Sequence, residues 1–237
     1  MAGASVPISQ RLLVCAGYVL PGAHVCDVGC DHGYLAIHLA RCGAASVLAT
    51  DIAAAPLAKA RRNIARFGLD GAISTRLTDG LAGVEADECD TVVIAGMGGD
   101  CIAGILSRCP WVGDGAHRLI LQPQTSGNDL RRWLGQNGWR IAGEQLCQDA
   151  GRLYTVLLAL AGGGRPLSPG EEFLSPALRQ SGSPLLGRYT DRLCRAMAAA
   201  AEGLSRSTKP EDPPRLAYYQ AALAELRAWQ AEQEDKP

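Results

Sequence analysis

The stretch Val25-Cys26-Asp27-Val28-Gly29-Cys30-Asp31-His32-Gly33 decides the fold. It opens as an apolar strand, breaks at glycines and runs at once into a helix, Tyr34-Leu35-Ala36-Ile37-His38-Leu39-Ala40. A strand that enters a helix through a glycine-bearing loop gathers free backbone N–H groups and a positive dipole end at one point. The first acidic residue after the next strand is Asp51, 22 residues beyond Gly29. That is the spacing at which a carboxylate grips a ribose in doubly wound nucleotide folds. The loop is not GxGxxG, however, and its Asp27 and Asp31 would repel a pyrophosphate. A cationic or zwitterionic nucleoside suits it better, S-adenosylmethionine foremost.

Outward from this loop, strands and helices alternate. A helix is expected over residues 8–19, with Ser9 at its N-cap position. Strands are expected at 46–50, 73–77, 91–95 and 118–121, with helices at 53–67, 99–107 and around Leu130, Trp133 and Leu134. The helix at 53–67 shows a basic outer face (Lys59, Arg61, Arg62, Arg66) and stops at Gly68. Two last strands, 139–147 and 152–160, flank Gln148-Asp149-Ala150-Gly151 as a hairpin. The result is an α/β, doubly wound, seven-stranded sheet covered on both faces, with an antiparallel strand inserted late. Asp27, Gly29, Asp31, Asp51, Asp79, Gly80, Gly96–Gly99 and Gln122 all fall at carboxyl ends of strands. Open α/β sheets hold ligands at that edge.

Residues 161–166, Ala-Gly-Gly-Gly-Arg-Pro, have the composition of a linker. Two domains are therefore expected, 1–161 and 162–237, the second an α-helical hairpin. Leu186, Tyr189, Leu193, Met197, Ala200 and Leu204 recur at helical steps, as do Leu216, Tyr219, Leu223 and Leu226 after a Pro-rich turn at 209–214. Arg188, Arg192 and Arg195 share a face by their i, i+4, i+7 spacing, which makes them candidate RNA contacts. The tail at 232–237 is expected to fray.

A net charge of −1 excludes an overall polycation, so any nucleic-acid surface must be local. The start, MAGASVPISQRLL, lacks the basic-then-apolar layout of a secretory signal, and no stretch is long and apolar enough to cross a membrane. A cytoplasmic location is expected. The nine scattered cysteines read as reduced thiols. Cys26, Cys30 and His32 lack a second ligand pair at zinc spacing, so no metal is expected.

Each candidate has a structural alternative. Asp51 would accept both hydroxyls of a ribose, or simply cap a turn. Asp79-Gly80 would accept from an adenine amino group, or form an ordinary Asp-Gly turn. Asp27 would accept from the methionine amino group of the donor, or serve as a satisfied carboxylate under the loop. Asp31 lies where a sulfonium methyl would be presented and would stabilise a cation there, or it caps the helix. His32 is a base or scaffold. Tyr34 and Trp133 are stacking faces or core.

The run 27–35, with Thr78-Asp79-Gly80-Leu81, Ile94-Ala95-Gly96-Met97-Gly98-Gly99 and Leu119-Ile120-Leu121-Gln122-Pro123-Gln124, closely resembles the bacterial tRNA adenine-22 N1-methyltransferase family. The resemblance continues through Arg131-Arg132-Trp133-Leu134 and Gly151-Arg152-Leu153-Tyr154. It implies a Rossmann-like methyltransferase domain, S-adenosylmethionine as cofactor and tRNA as partner; a monomer is expected. It matches Asp31 to the family's functionally important loop aspartate. The candidate catalytic residues are therefore Asp31 and Tyr34, and the candidate cofactor-binding residues Asp27, Gly29, Asp31, His32, Asp51, Ile52, Asp79, Gly80, Ala95, Gly96 and Met97. Cys30 and Gly33 depart from the family pattern, where serine is usual and alanine frequent. The strand-four loop lacks the Asn/Asp-Pro-Pro-aromatic run of enzymes that methylate exocyclic amines, which argues against an N6 product. The rival readings are a small-molecule methyltransferase and a non-catalytic nucleotide-binding module.

Overall fold

In the computed structural model, which describes residues 5–234, seven strands form one sheet. They are β1 (His24–Val28), β2 (Ser46–Asp51), β3 (Ile73–Leu77), β4 (Thr91–Gly98), β5 (Arg118–Thr125), β6 (Trp139–Asp149) and β7 (Arg152–Ala161), in the order β3-β2-β1-β4-β5-β7-β6. The first five pair in parallel, and β7 inserts antiparallel to both β5 and β6. Chain direction across the sheet reverses at β1, where Cys26 sits opposite Leu48 on one side and Val92 on the other. That switch point opens a crevice at the carboxyl ends of β1 and β4.

Side chains alternate across the sheet. Cys26, Val28, Val92, Ile94, Leu119 and Leu121 face α4 (Gly99–Ser107) and α5 (Gly127–Gln136). Val25, Val47, Val93 and Ile120 face α1 (Gln10–Gly17), α2 (Tyr34–Arg41) and α3 (Ala54–Arg66). By this alternation Asp27 points to the second face, under α1 and α2. Ser9 stands at the N-cap of α1 as expected, but its side chain makes no capping bond.

Several expected boundaries moved, strand β5 running on to Thr125 and α1 spanning only Gln10–Gly17. Strand β4 does not stop at Ala95: it pairs on through Met97 with Pro123 and Gly98 with Thr125, with the register shifting on both sides of Met97. Bulging lets a glycine run, which reads as loop, stay in the ladder. The linker composition at 161–166 does not make a free tether. Gly164 lies so close to the Gly138–Trp139 backbone, and the Arg165 carbonyl to Gly135, that a Cβ on either glycine would collide with main chain. Finally, Pro213 and Pro214 belong to the first turn of α9 (Asp212–Glu234), where a missing N–H costs nothing.

Two short helices, α6 (Pro169–Phe173) and α7 (Pro176–Arg179), precede the long ones and are capped by Ser168 and Ser175. Neither was resolved by periodicity, since four or five residues do not complete a pattern. Helices α8 (Leu186–Ser205) and α9 run antiparallel, with Gln230 Nε2 donating to Asp191 Oδ1 at 2.7 Å. Residues 235–237 of the tail expected to fray lie outside the described residues. The helices share a core with Leu146 and Leu153 from the tip of the β6–β7 hairpin. A buried polar cluster ties them further: Arg131 pairs with Glu144, whose other oxygen accepts from Ser175 Oγ at 2.5 Å. Beside it, Glu172 accepts from Arg132 Nε at 2.9 Å and from the Tyr218 hydroxyl at 2.6 Å.

Candidate active site

The loop after β1 is built by backbone geometry. Gly29 and Gly33 adopt φ +74°, and Asp31 adopts φ +47°. The N–H groups of Gly29 and Cys30 both donate to the Thr50 carbonyl at 2.9 and 2.8 Å, which locks the loop to the end of β2. A Cβ on Gly29 would lie 2.3 Å from the Met97 methyl, so Met97 packs directly on this glycine. The N-cap of α2 is Gly33, without a side-chain bond, so Asp31 does not cap the helix.

Asp27, Gly29, Asp31, His32, Tyr34, Ala95 and Gly96 line a single cavity of about 350 Å³. Asp27 is 3% exposed and its Oδ2 has no hydrogen-bond partner. Burial pushes its carboxyl up to about 7, against a lowering from the Ala36 N–H, and the neighbouring Asp51 charge raises it too. The protein thus satisfies one of its oxygens and leaves the other open. Asp31 stands exposed at the rim, with Oδ1 3.4 Å from His32 Nε2. The His32 carbonyl accepts from Asn63 Nδ2 at 2.8 Å, and its ring meets Tyr34 edge to face at 5.9 Å. Burial, with Asp27 and Asp51 nearby, pushes the Cys30 thiol up, away from the thiolate form.

The other expected residues fall around this cavity. Asp51 Oδ2 accepts from the Asp31 N–H at 3.1 Å and Oδ1 from the Ala53 N–H at 2.8 Å. Ile52 is 69% exposed at the end of β2, an apolar surface left open beside that carboxylate. Asp79 pairs with Arg108 at 3.3 Å, and Gly80 (φ +59°) packs on Ile105; neither lines the cavity. Trp133 packs into the α4–α5 core and is no stacking face for the cavity.

Sequence reasoning missed Arg11 and Gln124, which also line it. Arg11 Nη1 donates to the buried Gln122 Oε1 at 3.0 Å, and its Nε lies 3.5 Å from Asp149 Oδ2. Gly96 (φ +84°) lets both residues approach: a Cβ there would sit 3.4 Å from Arg11 Nη1 and 3.6 Å from Gln124 Nε2. No local signal marks an arginine on α1 as facing β4. Gln124 also lines a second groove of about 220 Å³, with Asn128, Tyr154, Tyr189 and Arg192. Arg192 lies over the Tyr189 ring at 5.2 Å, Arg188 contacts Gln148 Oε1 at 3.3 Å, and all three expected arginines on α8 are exposed.

Among the described residues no cluster of three or more His, Cys, Asp or Glu is placed to hold a metal, and no helix is long and apolar enough to cross a membrane.

Residues 8–157 match the family model described as a methyltransferase domain. The chain is 36% identical over 156 residues to the tRNA (adenine(22)-N(1))-methyltransferase of Bacillus subtilis (strain 168), a match spanning 65% of this chain and 66% of that protein. The crystal structure of the B. subtilis m1A22 tRNA methyltransferase TrmK superposes with a TM-score of 0.84 at 28% identity, over 95% of this chain and 99% of that one. Streptococcus pneumoniae Sp1610, a candidate tRNA (m1A22) methyltransferase crystallised with S-adenosyl-L-methionine, superposes with a TM-score of 0.77 at 33% identity, over 91% and 99%. By sequence, domain model and whole-chain architecture, the chain belongs to the tRNA (adenine(22)-N1)-methyltransferase family of methyltransferase-domain proteins.

Proposed function

We propose that this chain methylates N1 of an adenine in tRNA, position 22 by its family, with S-adenosylmethionine as methyl donor. The observation that carries the reading is Asp27: a buried carboxylate with an unpartnered oxygen, aimed into a cavity at the sheet's switch point. A buried carboxylate oxygen without a partner is costly, and an incoming ammonium relieves it. S-adenosylmethionine, when bound, supplies an electrophilic methyl on a cationic sulfur. Asp27 would hold its amino group and Asp51 its ribose, with Gly29 admitting it to the backbone and Ile52 bordering its adenine.

Ring N1 of adenine carries a lone pair and no proton, so this chain needs alignment more than a base. Fixing two reactants in line is worth up to about 7–11 kcal/mol. Asp31, at the rim, faces the ring that becomes cationic and stabilises the growing charge. His32 holds Asp31, and Tyr34 offers a face on which the target base stacks, worth about 1–3 kcal/mol. A base that leaves its own stack costs a few kcal/mol, which such a face offsets in part. The groove carrying Arg192 opens beside the cavity at Gln124, a path for the flanking backbone, with Arg188 and Arg195 further along α8.

In this reading residues 1–161 carry the chemistry and 162–237 the RNA grip, and the protein works as a monomer in the cytoplasm, where tRNA is. Incubation with labelled S-adenosylmethionine and unmodified tRNA, followed by nucleoside analysis, tests it. N1-methyladenosine that vanishes when adenine 22 is replaced is expected. Labelled small molecules with unlabelled tRNA would support the small-molecule reading, and donor binding without turnover the non-catalytic one.

A further inference from the structure

Helix α3 carries Lys59, Arg61, Arg62 and Arg66 and no acidic residue. Leu57, Ala60 and Ile64 bury one side of it. Lys59, Arg62 and Arg66, at i, i+3 and i+7, form a stripe on the opposite side. All three are exposed, and among the described residues none has an ion-pair or hydrogen-bond partner. Arg61, off that stripe, is engaged instead, donating to Thr75 Oγ1 at 2.7 Å. In a chain of net charge −1, a stripe of three unneutralised cations about 10 Å long is a strong local excess.

A solvated helix face would explain charge alone, but not its attachment to the site. Asn63, on the same helix, holds the His32 carbonyl and so fixes α3 to the donor loop. A depression of about 280 Å³ lined by Tyr34, Asn63, Arg66 and Phe67 starts at the tyrosine that also lines the donor cavity and ends at the stripe. We propose that the outer face of α3 is a second phosphate-binding surface for tRNA, on the other side of the donor cavity from the α8 arginines; this rests on the tRNA methyltransferase reading. Strands β3, beneath α3, and β7, beneath the hairpin, lie five strand spacings apart, about 24 Å. The two cationic surfaces therefore grip different parts of one folded RNA. An open stripe without an enclosing pocket fits a run of phosphates, not a free nucleotide.

The test compares wild type with Lys59→Gln/Arg62→Gln/Arg66→Gln, and with Arg62→Gln alone, in tRNA binding across a salt series. The triple variant should weaken tRNA binding about tenfold or more and flatten the log K against log salt slope by about two to three, the single variant by about one. S-adenosylmethionine affinity and thermal unfolding should not move. If wild type methylates tRNA and the triple variant keeps its slope and affinity, the proposal is overturned. Wild type that methylates no tRNA overturns instead the reading beneath it.

Discussion

The carboxylate of Asp51 holds the backbone N–H of Asp31 at 3.1 Å, so the residue proposed to grip the ribose also positions the residue proposed to face the target base. Its second oxygen holds the Ala53 N–H at the start of α3. If those roles hold, one side chain couples donor binding to the geometry of the reacting centre. Asp51→Ala removes two charge-assisted bonds, each worth about 1.5–3 kcal/mol when intact. Donor affinity should fall by one to two orders of magnitude, and hydrogen exchange at residues 29–33 should rise. Lost affinity with unchanged exchange would separate the two roles.

Asp31 pays for its place in left-handed backbone, φ +47°, a conformation that glycine adopts freely and alanine does not. Asp31→Gly should therefore leave stability unchanged or raise it by about 1 kcal/mol, while Asp31→Ala lowers it by a similar amount. Both should lose turnover by about a hundredfold or more with donor affinity nearly intact. Turnover that tracks stability across the pair would make Asp31 scaffold only.

Asp27 makes stability depend on pH. Its carboxyl is raised to about 7 in the folded chain from an ordinary 3.8, so between those values the folded state holds a proton that the unfolded state has released. Stability of the free protein should fall as pH rises from about 4 to 7 and level off above, by up to about 4 kcal/mol. Asp27→Asn should abolish that slope, stabilise the free protein above pH 7 and lose donor binding. In wild type, donor affinity should drop about tenfold per pH unit below 7, because the ammonium is held by the ionised form. A flat calorimetric profile would refute this.

Glu144 sits fully buried against Arg131, which also donates to the Glu172 carbonyl at 3.0 Å and to Thr155 Oγ1 at 3.2 Å. Glu144→Leu strands the guanidinium and should cost about 3–5 kcal/mol in urea unfolding. Adding Arg131→Met should recover most of that loss. Since this cluster seats α6 and α7 against the sheet, the single variant should also raise the KM for tRNA more than that for the donor.

Replacing Arg188, Arg192 and Arg195 by glutamine should weaken tRNA binding and reduce its salt slope, with donor affinity unchanged. Unchanged binding in filter assays would move the RNA contacts off α8.

The sequence by itself determined the alternation of strands and helices and put Asp27, Asp31 and Asp51 at strand ends, because periodicity, glycine and chain direction are local properties. It also showed the basic faces of α3 and α8, since helical spacing fixes which side chains are neighbours. Only the tertiary structure decided that Arg11 reaches over Gly96, that Asp79 pairs with Arg108 outside the cavity, that Arg131 is buried on Glu144 and that one oxygen of Asp27 lacks a partner. Those relations join residues far apart in the chain, and whether a charge is paired, screened or stranded depends on which strands the sheet brings side by side.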